Sequence, residues 1–188
     1  MIVPGAASQA LGAALAAETG HGLAAVDYER FPDGERMASV GVDGAADTDR
    51  AVVVASTTTD AAHVELLQLQ DAVREAGADE VVTVLPYMGY GRQERAFEAG
   101  QPVSARAVAR AISTGTDRVV LVDPHEASVA EFFDTPCDVV GAAPRLADPL
   151  PTDLVDPLFL SPDAGAVGLA ESACGAYGRG AVDYFEKV

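Results

Sequence analysis

The sequence predicts an α/β protein built on a parallel, doubly wound sheet. Short β-branched runs alternate with Ala- and Leu-rich helical stretches along the whole chain. Runs such as "EVVTVL" and "DRVVLV" are apolar almost throughout, as strands of a sheet covered on both faces must be. Repeated strand–helix–strand order then implies parallel neighbours joined by right-handed crossovers.

Strands are expected at Met1–Val3, Leu23–Val26, Met37–Val40, Ala51–Ala55, Glu80–Leu85, Asp117–Val122, Asp138–Val140 and Leu158–Leu160. Helices are expected at Ser8–Thr19, Ala61–Ala76, Ser104–Ser113, Ser128–Phe133 and Ala166–Ala176. The clearest is "HVELLQLQDAVREAG", where Val64, Leu67, Leu69, Ala72, Val73 and Ala76 follow a spacing of three and four, and Gly77 is a C-terminal stop. "RFPDGERM", Arg30–Met37, reads as a Pro-Asp-Gly turn of a hairpin. The Pro/Asp-rich stretch "APRLADPLPTDLVDP", beginning near Ala143, is the one candidate seam between domains.

Composition bounds the function. With 188 residues, 49% of them hydrophobic, the chain can bury a core of one domain or somewhat more. Its 29 acidic against 12 basic residues give a net charge of −17. Such a polyanion is repelled by nucleic acid and by anionic lipid, so neither is an expected partner. Of the basic residues only Lys187 is a lysine, and the acid is dispersed through periodic apolar segments rather than gathered in a tail. That composition resembles proteins of salt-loving microbes. Cys137 and Cys174 match no metal spacing, and no apolar run approaches the length of about 18 residues that a membrane helix requires. With no signal-peptide pattern at its start, a cytoplasmic protein is expected.

Ligands of such sheets bind beyond the carboxyl ends of the strands. After Glu80–Leu85 comes "PYMGYGRQERAF", in which two glycines permit tight turns and Arg92, Gln93 and Arg95 follow. Arginine's planar fork of donors suits phosphate oxygens. After Asp117–Val122 comes "DPHEAS", where Asp123, His125 and Glu126 could bind a metal or move a proton, although Asp-Pro is equally an ordinary helix start. After Leu158–Leu160 comes "SPDAG", where Asp163 could serve Mg²⁺ or simply cap the next helix. "STGTD", Ser113–Asp117, imitates a phosphate loop but joins a helix to the following strand, at the wrong edge of the sheet. No G-x-x-x-x-G-K-[ST] loop is present, which excludes a P-loop nucleotidase.

The ordered series "FPDGE", "ELL", "PYMGYGRQER", "VSARAVARAI", "DPHEASVAEFFDTP", "SPDAG" and "FEK" resembles ribose-phosphate pyrophosphokinases, most nearly the archaeal form, over essentially the whole chain. That resemblance implies two phosphoribosyltransferase-like domains assembled as homo-oligomers. The first would span residues 1–143, and residues 144–188 would begin a second of the same type, incomplete here. It implies transfer of the diphosphoryl group of ATP to the C1 hydroxyl of ribose 5-phosphate, a step of nucleotide biosynthesis, with Mg²⁺ as cofactor. By matching motifs, Asp33, Gly34 and Glu35 would bind adenine with Phe31 stacked on it, contributed across a subunit interface. Arg92, Gln93 and Arg95 would hold ATP, His125 and Asp163 would sit at Mg²⁺, and Lys187 would be the catalytic lysine on a closing loop. Glu94 stands where the family more often has aspartate.

The Thr/Gly loop after paired aspartates, which cradles ribose 5-phosphate in the family, is not in the sequence. A chain truncated at its C-terminus is therefore expected. Two other readings compete: a non-catalytic ATP-binding or regulatory subunit of the same oligomer, and a phosphoribosyltransferase. The latter needs that same loop and ranks last. Retention of Arg92, His125, Asp163 and Lys187 argues for the enzyme.

Overall fold

A computed structural model describes residues 1–41 and 49–186. They fall into two compact units, Met1–Val140 and Gly141 onward.

In the first unit, strands β1 (Ile2–Pro4), β4 (Arg50–Val54), β5 (Glu80–Leu85), β6 (Arg118–Val122) and β7 (Cys137–Val140) form a parallel sheet in the order β1-β4-β5-β6-β7. Alternation along β5 decides how it is covered. Val81, Thr83 and Leu85 are buried, while Val82 and Val84 are only half-buried. The buried face meets helices α2 (Asp60–Glu75) and α3 (Ser104–Ser113) in a core that includes Leu66, Leu69, Val73, Ala109, Ile112, Val119 and Leu121. The other face packs Ile2 and Val54 against Ala16 of α1 (Gln9–Thr19). Both faces carry helices, though unequally.

Strands β2 (Val26–Arg30) and β3 (Arg36–Val40) form a separate antiparallel hairpin, with Arg30 opposite Arg36. The strand expected at Leu23–Val26 is displaced: Leu23 makes only a bridge to Ile2, and pairing begins at Val26. Polar Asp27, Glu29 and Arg30 can be there because one hairpin face is solvated. The helix expected at Ser128–Phe133 is a 3-10 segment, Ala127–Phe132.

In "STGTD", at the opposite edge, Ser113 and Thr116 are buried while Thr114 and Asp117 are exposed. Thr116 Oγ1 donates to Val81 O at 2.9 Å and accepts from Thr83 Oγ1 at 3.0 Å, and Gln70 Nε2 donates to Thr83 Oγ1 at 2.8 Å. Asp117 accepts the Val81 N–H at 2.7 Å and pairs with Arg74. These bonds satisfy groups that would be costly to leave unpaired in a core.

The second unit is one strand–helix–strand motif. Strands β8 (Leu158–Ser161) and β9 (Ala181–Tyr184) pair in parallel, joined through α4 (Val167–Tyr177), and the 3-10 segment Ala143–Ala147 lies against α4. β9 was not among the expected strands. Tyr177 anchors the motif by packing its ring, tilted at 53°, 5.8 Å from that of Phe159 and by donating to Pro151 O at 2.5 Å. No helix among the described residues is long and apolar enough to cross a membrane.

Candidate functional site

β5 and β6 are adjacent and parallel, so the loops leaving their carboxyl ends emerge side by side. Together they enclose a cavity of about 200 Å³ lined by Tyr87, Met88, Gly91, Arg92, Val122, Asp123, Pro124, His125 and Val129. The structure therefore brings together Arg92 and His125, which lie far apart in sequence. Met88 and Val129 are buried and form an apolar floor, while Arg92, Asp123 and His125 are exposed at the rim. A cation, a carboxylate and an imidazole over an apolar floor can bind an anion, share a divalent ion with it, or relay a proton. Asp123 sits at φ +39°, a conformation rare for a non-glycine residue, and its N–H donates to Val140 O at 3.0 Å. Strained backbone of this kind collects at functional sites.

The remaining residues singled out in the sequence lie elsewhere. Gln93 is turned inward, its Nε2 donating to Pro102 O at 3.1 Å and its Oε1 accepting from Ser104 Oγ. Its backbone carbonyl also accepts the Ala105 N–H at 3.2 Å, so this residue pins the loop to the start of α3 through both side chain and main chain. Arg95 lies 5.4 Å over the Phe97 ring with its Nε 3.6 Å from Glu94 Oε1, and it does not line the cavity.

Phe31, Asp33, Gly34 and Glu35 form the tip of the β2–β3 hairpin, and none of them lines that cavity. Gly34 takes φ +95° with open space where a Cβ would stand, so backbone conformation rather than crowding calls for glycine. The turn is closed by Phe31 N–H on Glu35 O and Gly34 N–H on Phe31 O, both at 2.9 Å. Asp33 Oδ1 accepts the Glu35 N–H at 3.1 Å. Phe31 is half-buried while Asp33, Gly34 and Glu35 are exposed, leaving the tip available to a second molecule.

In the second unit Asp163 caps the turn that leads into α4, accepting the Gly165 N–H at 3.0 Å. It lines a cleft of about 490 Å³ with Ala164, Gly165, Tyr184, Phe185 and Glu186. Lys187 lies outside the described residues.

No group of three His, Cys, Asp or Glu converges among the described residues, so a metal held by protein donors alone has no cage there. Mg²⁺ behaves differently, keeping several waters and sharing substrate phosphates while using one or two protein ligands. The carboxylates Asp123, beside Arg92, and Asp163, at its own cleft, suit an ion of that habit, whereas the His125 imidazole is an unusual ligand for so hard a cation.

Sequence reasoning missed three residues that shape the Arg92 loop: Tyr90 within it, and Asp60 and His63 of α2. Tyr90 donates to Asp60 Oδ1 at 2.5 Å, and its ring lies 5.5 Å from that of His63. Only the tyrosine set between glycines in "MGYGR" hinted at this, because the partners come from a different helix.

Comparison with known proteins bears on the same residues. Residues 1–115 match the family model for the N-terminal domain of ribose phosphate pyrophosphokinase. A ribose-phosphate pyrophosphokinase of Halobacterium salinarum is 63% identical over 188 residues, the whole of this chain and 66% of that protein. One from Methanopyrus kandleri is 42% identical over 173 residues, 88% of this chain and 58% of that protein. The crystal structure of phosphoribosylpyrophosphate synthetase from Mycobacterium smegmatis superposes with a TM-score of 0.80 at 28% identity, covering 100% of this chain and 64% of that one. The chain thus spans 58–66% of the length of these curated relatives.

Proposed function

The chain belongs to the ribose-phosphate pyrophosphokinase family, and from that premise we propose that it carries the nucleotide-binding part of a ribose-phosphate diphosphokinase. The observation that supports this reading best is the shared cavity of Arg92, Asp123 and His125 at two adjacent strand ends. In the proposed reaction the C1 hydroxyl oxygen of ribose 5-phosphate attacks the β-phosphorus of ATP. The bond from that phosphorus to the oxygen bridging to the α-phosphate breaks, AMP departs with the oxygen, and the hydroxyl proton is released to solvent. Phosphoryl transfer of this kind needs positioning and positive charge more than covalent help.

Arg92 supplies a planar fork of donors for the phosphate oxygens. Gln93 acts through the backbone it fixes, and Arg95 is an exposed cation one turn further on that can swing to the triphosphate. His125 and Asp163, each in its own unit, are the residues that would hold Mg²⁺, which would supply positive charge against the charge developing on the phosphates. Lys187 delivers an ammonium to the transferred group. Its neighbour Glu186 lines the same cleft as Asp163. The hairpin tip, Phe31 with Asp33, Gly34 and Glu35, receives the adenine of a second copy's ATP, so the working form is a homo-oligomer. Residues 144–188 begin a second phosphoribosyltransferase-like domain, and the protein works in the cytoplasm of a salt-adapted cell.

The test is AMP formation from ATP and ribose 5-phosphate, with Mg²⁺ in molar KCl. ATP binding that weakens about tenfold or more in Arg92→Ala is the expected result, the scale of a lost hydrogen bond to a charged group, and any AMP formed is expected to fall about a hundredfold in Lys187→Ala, on the scale of lost transition-state charge stabilisation. A folded, ATP-binding sample that makes no AMP would reassign this chain to a nucleotide-binding subunit.

A further inference from the structure

The loop carrying Arg92 is held by contacts that the nucleotide reading does not use. Thr57, three residues beyond β4, donates its N–H to Tyr87 O at 2.9 Å, and its Oγ1 accepts the Gly89 N–H at 2.9 Å. Gly89 lies so close that a Cβ would stand 2.3 Å from Thr57 O and 2.7 Å from His63 Nε2. Only glycine fits there. Tyr90 follows at φ +62°, in the left-handed region that bulky residues rarely occupy.

Such a conformation persists only where the surroundings over-determine it. Here they are the first turn of α2. The Tyr90 phenol donates to Asp60 Oδ1 at 2.5 Å, and its ring packs 5.5 Å from the His63 imidazole at 47°. Both groups respond to this setting. Burial holds His63 below its ordinary pKa, and the bond to Asp60 raises that of the Tyr90 phenol. The Gln93 N–H closes a turn on Tyr90 O at 3.1 Å, and between these two residues Gly91 and Arg92 reach the cavity. Tyr90 is therefore the strained pivot between an anchor on α2 and the guanidinium in the site.

We propose that Tyr90, anchored by Asp60 and His63, is a positioning residue for Arg92. Without the phenol–carboxylate bond the Tyr90 backbone relaxes toward negative φ, the next peptide turns, and Arg92 leaves its position at the cavity rim. This inference rests on the reading of Arg92 as a ligand of the ATP phosphates, and the experiment keeps the two separable.

Hydrogen exchange across residues 88–93 and ATP affinity by titration are measured on the 188-residue chain in molar KCl. Tyr90→Phe and Asp60→Ala each remove the bond from one side, so a misfolded member of the pair does not end the test. Each is expected to speed exchange and weaken ATP binding about fivefold, the scale of one ordinary hydrogen bond, with a melting temperature lowered by no more than about 4 °C. Asp60→Asn keeps an acceptor oxygen and is expected to restore both readouts to within about twofold. Exchange that stays unchanged in both variants overturns the proposal whatever ATP does. So does unchanged ATP affinity in Tyr90→Phe when Arg92→Ala weakens it. If Arg92→Ala itself leaves ATP binding intact, the phosphate reading fails and carries the inference down with it. Faster exchange beside unaltered ATP binding in all variants would identify that outcome.

Discussion

The two units of this chain are written in similar residues and reach different ends. In Met1–Val140 the leucines and valines of the strands meet helices, and Leu66, Leu69, Leu85 and Leu121 are wholly buried. In Gly141 onward, Leu146, Leu158, Leu160 and Leu169 are between 46% and 63% exposed, and they line an open apolar cleft with Phe159 and Pro162. A two-stranded motif with one helix cannot cover its own faces, and it leaves a row of unpaired strand groups at each edge. The difference is one of layers rather than composition. The second unit's side chains suit a larger sheet, in accord with the greater length of the relatives it matches.

The sharpest test of that contrast is the same truncation in both units. Leu69→Ala removes a side chain with 0% exposure from the α2 face, where surrounding strands cannot collapse into the gap. A loss of about 3 kcal/mol in urea unfolding is expected. Leu160→Ala removes a side chain that is 46% exposed, so its expected cost is below about 0.5 kcal/mol. A comparable loss at both positions would show that Leu160 is buried in solution, and the contrast would collapse.

Much of the first unit was legible because its strands are buried on one face and partly on the other, which writes itself as apolar runs. Helix α2 declared itself through its spacing and its terminal glycine. Val26–Arg30 was misjudged because a hairpin strand outside the main sheet needs no apolar run: its five residues are half-buried or exposed. β9 was missed for a similar reason, being short, exposed and flanked by Gly180. At the candidate site, Arg92 and His125 could be paired in advance by the rule that ligands gather at strand carboxyl ends. The inward engagement of Gln93 and the anchoring of Tyr90 could not. Both depend on which residues of α2 and α3 fall beside the loop, a tertiary fact with no local signature.

Two helical glycines offer a second, smaller comparison. Gly12 of α1 lies where a Cβ would stand 2.6 Å from Pro4 Cβ, a rigid ring atom that cannot swing aside. Gly175 of α4 has nothing within 4 Å of the same position. Gly12→Ala is therefore expected to destabilise by about 1 to 2 kcal/mol through forced displacement of β1. Gly175→Ala should stabilise by roughly 0.5 to 1 kcal/mol, because alanine loses less chain entropy on entering a helix. Opposite signs in thermal unfolding would confirm that crowding differs between the units. A matching gain at both sites would mean that α1 packs more loosely than its contacts indicate.

The smallest contrast is electrostatic. Arg74 of α2 pairs with Asp117, which also accepts the Val81 N–H at 2.7 Å, so this ion pair joins a helix, a loop and a strand. Arg145 and Asp148 pair at 3.2 Å within a single turn and are both well exposed. The hydrogen bond from Val81, with Arg74 assisting, holds the Asp117 carboxyl below its ordinary value of 3.8. The folded state thus binds fewer protons than the unfolded one in that range, so the stabilisation is fully present above pH 3.8 and is lost as pH falls through the lower folded value. Because both side chains are substantially exposed, solvent screening limits the effect, and Asp117→Asn is expected to cost about 0.5 kcal/mol at neutral pH. That cost should vanish in strong acid, where the wild-type carboxyl is itself protonated, whereas Asp148→Asn should change nothing measurable at either pH. A pH-independent cost for Asp117→Asn would assign the role of this residue to the shape of its loop rather than to its charge.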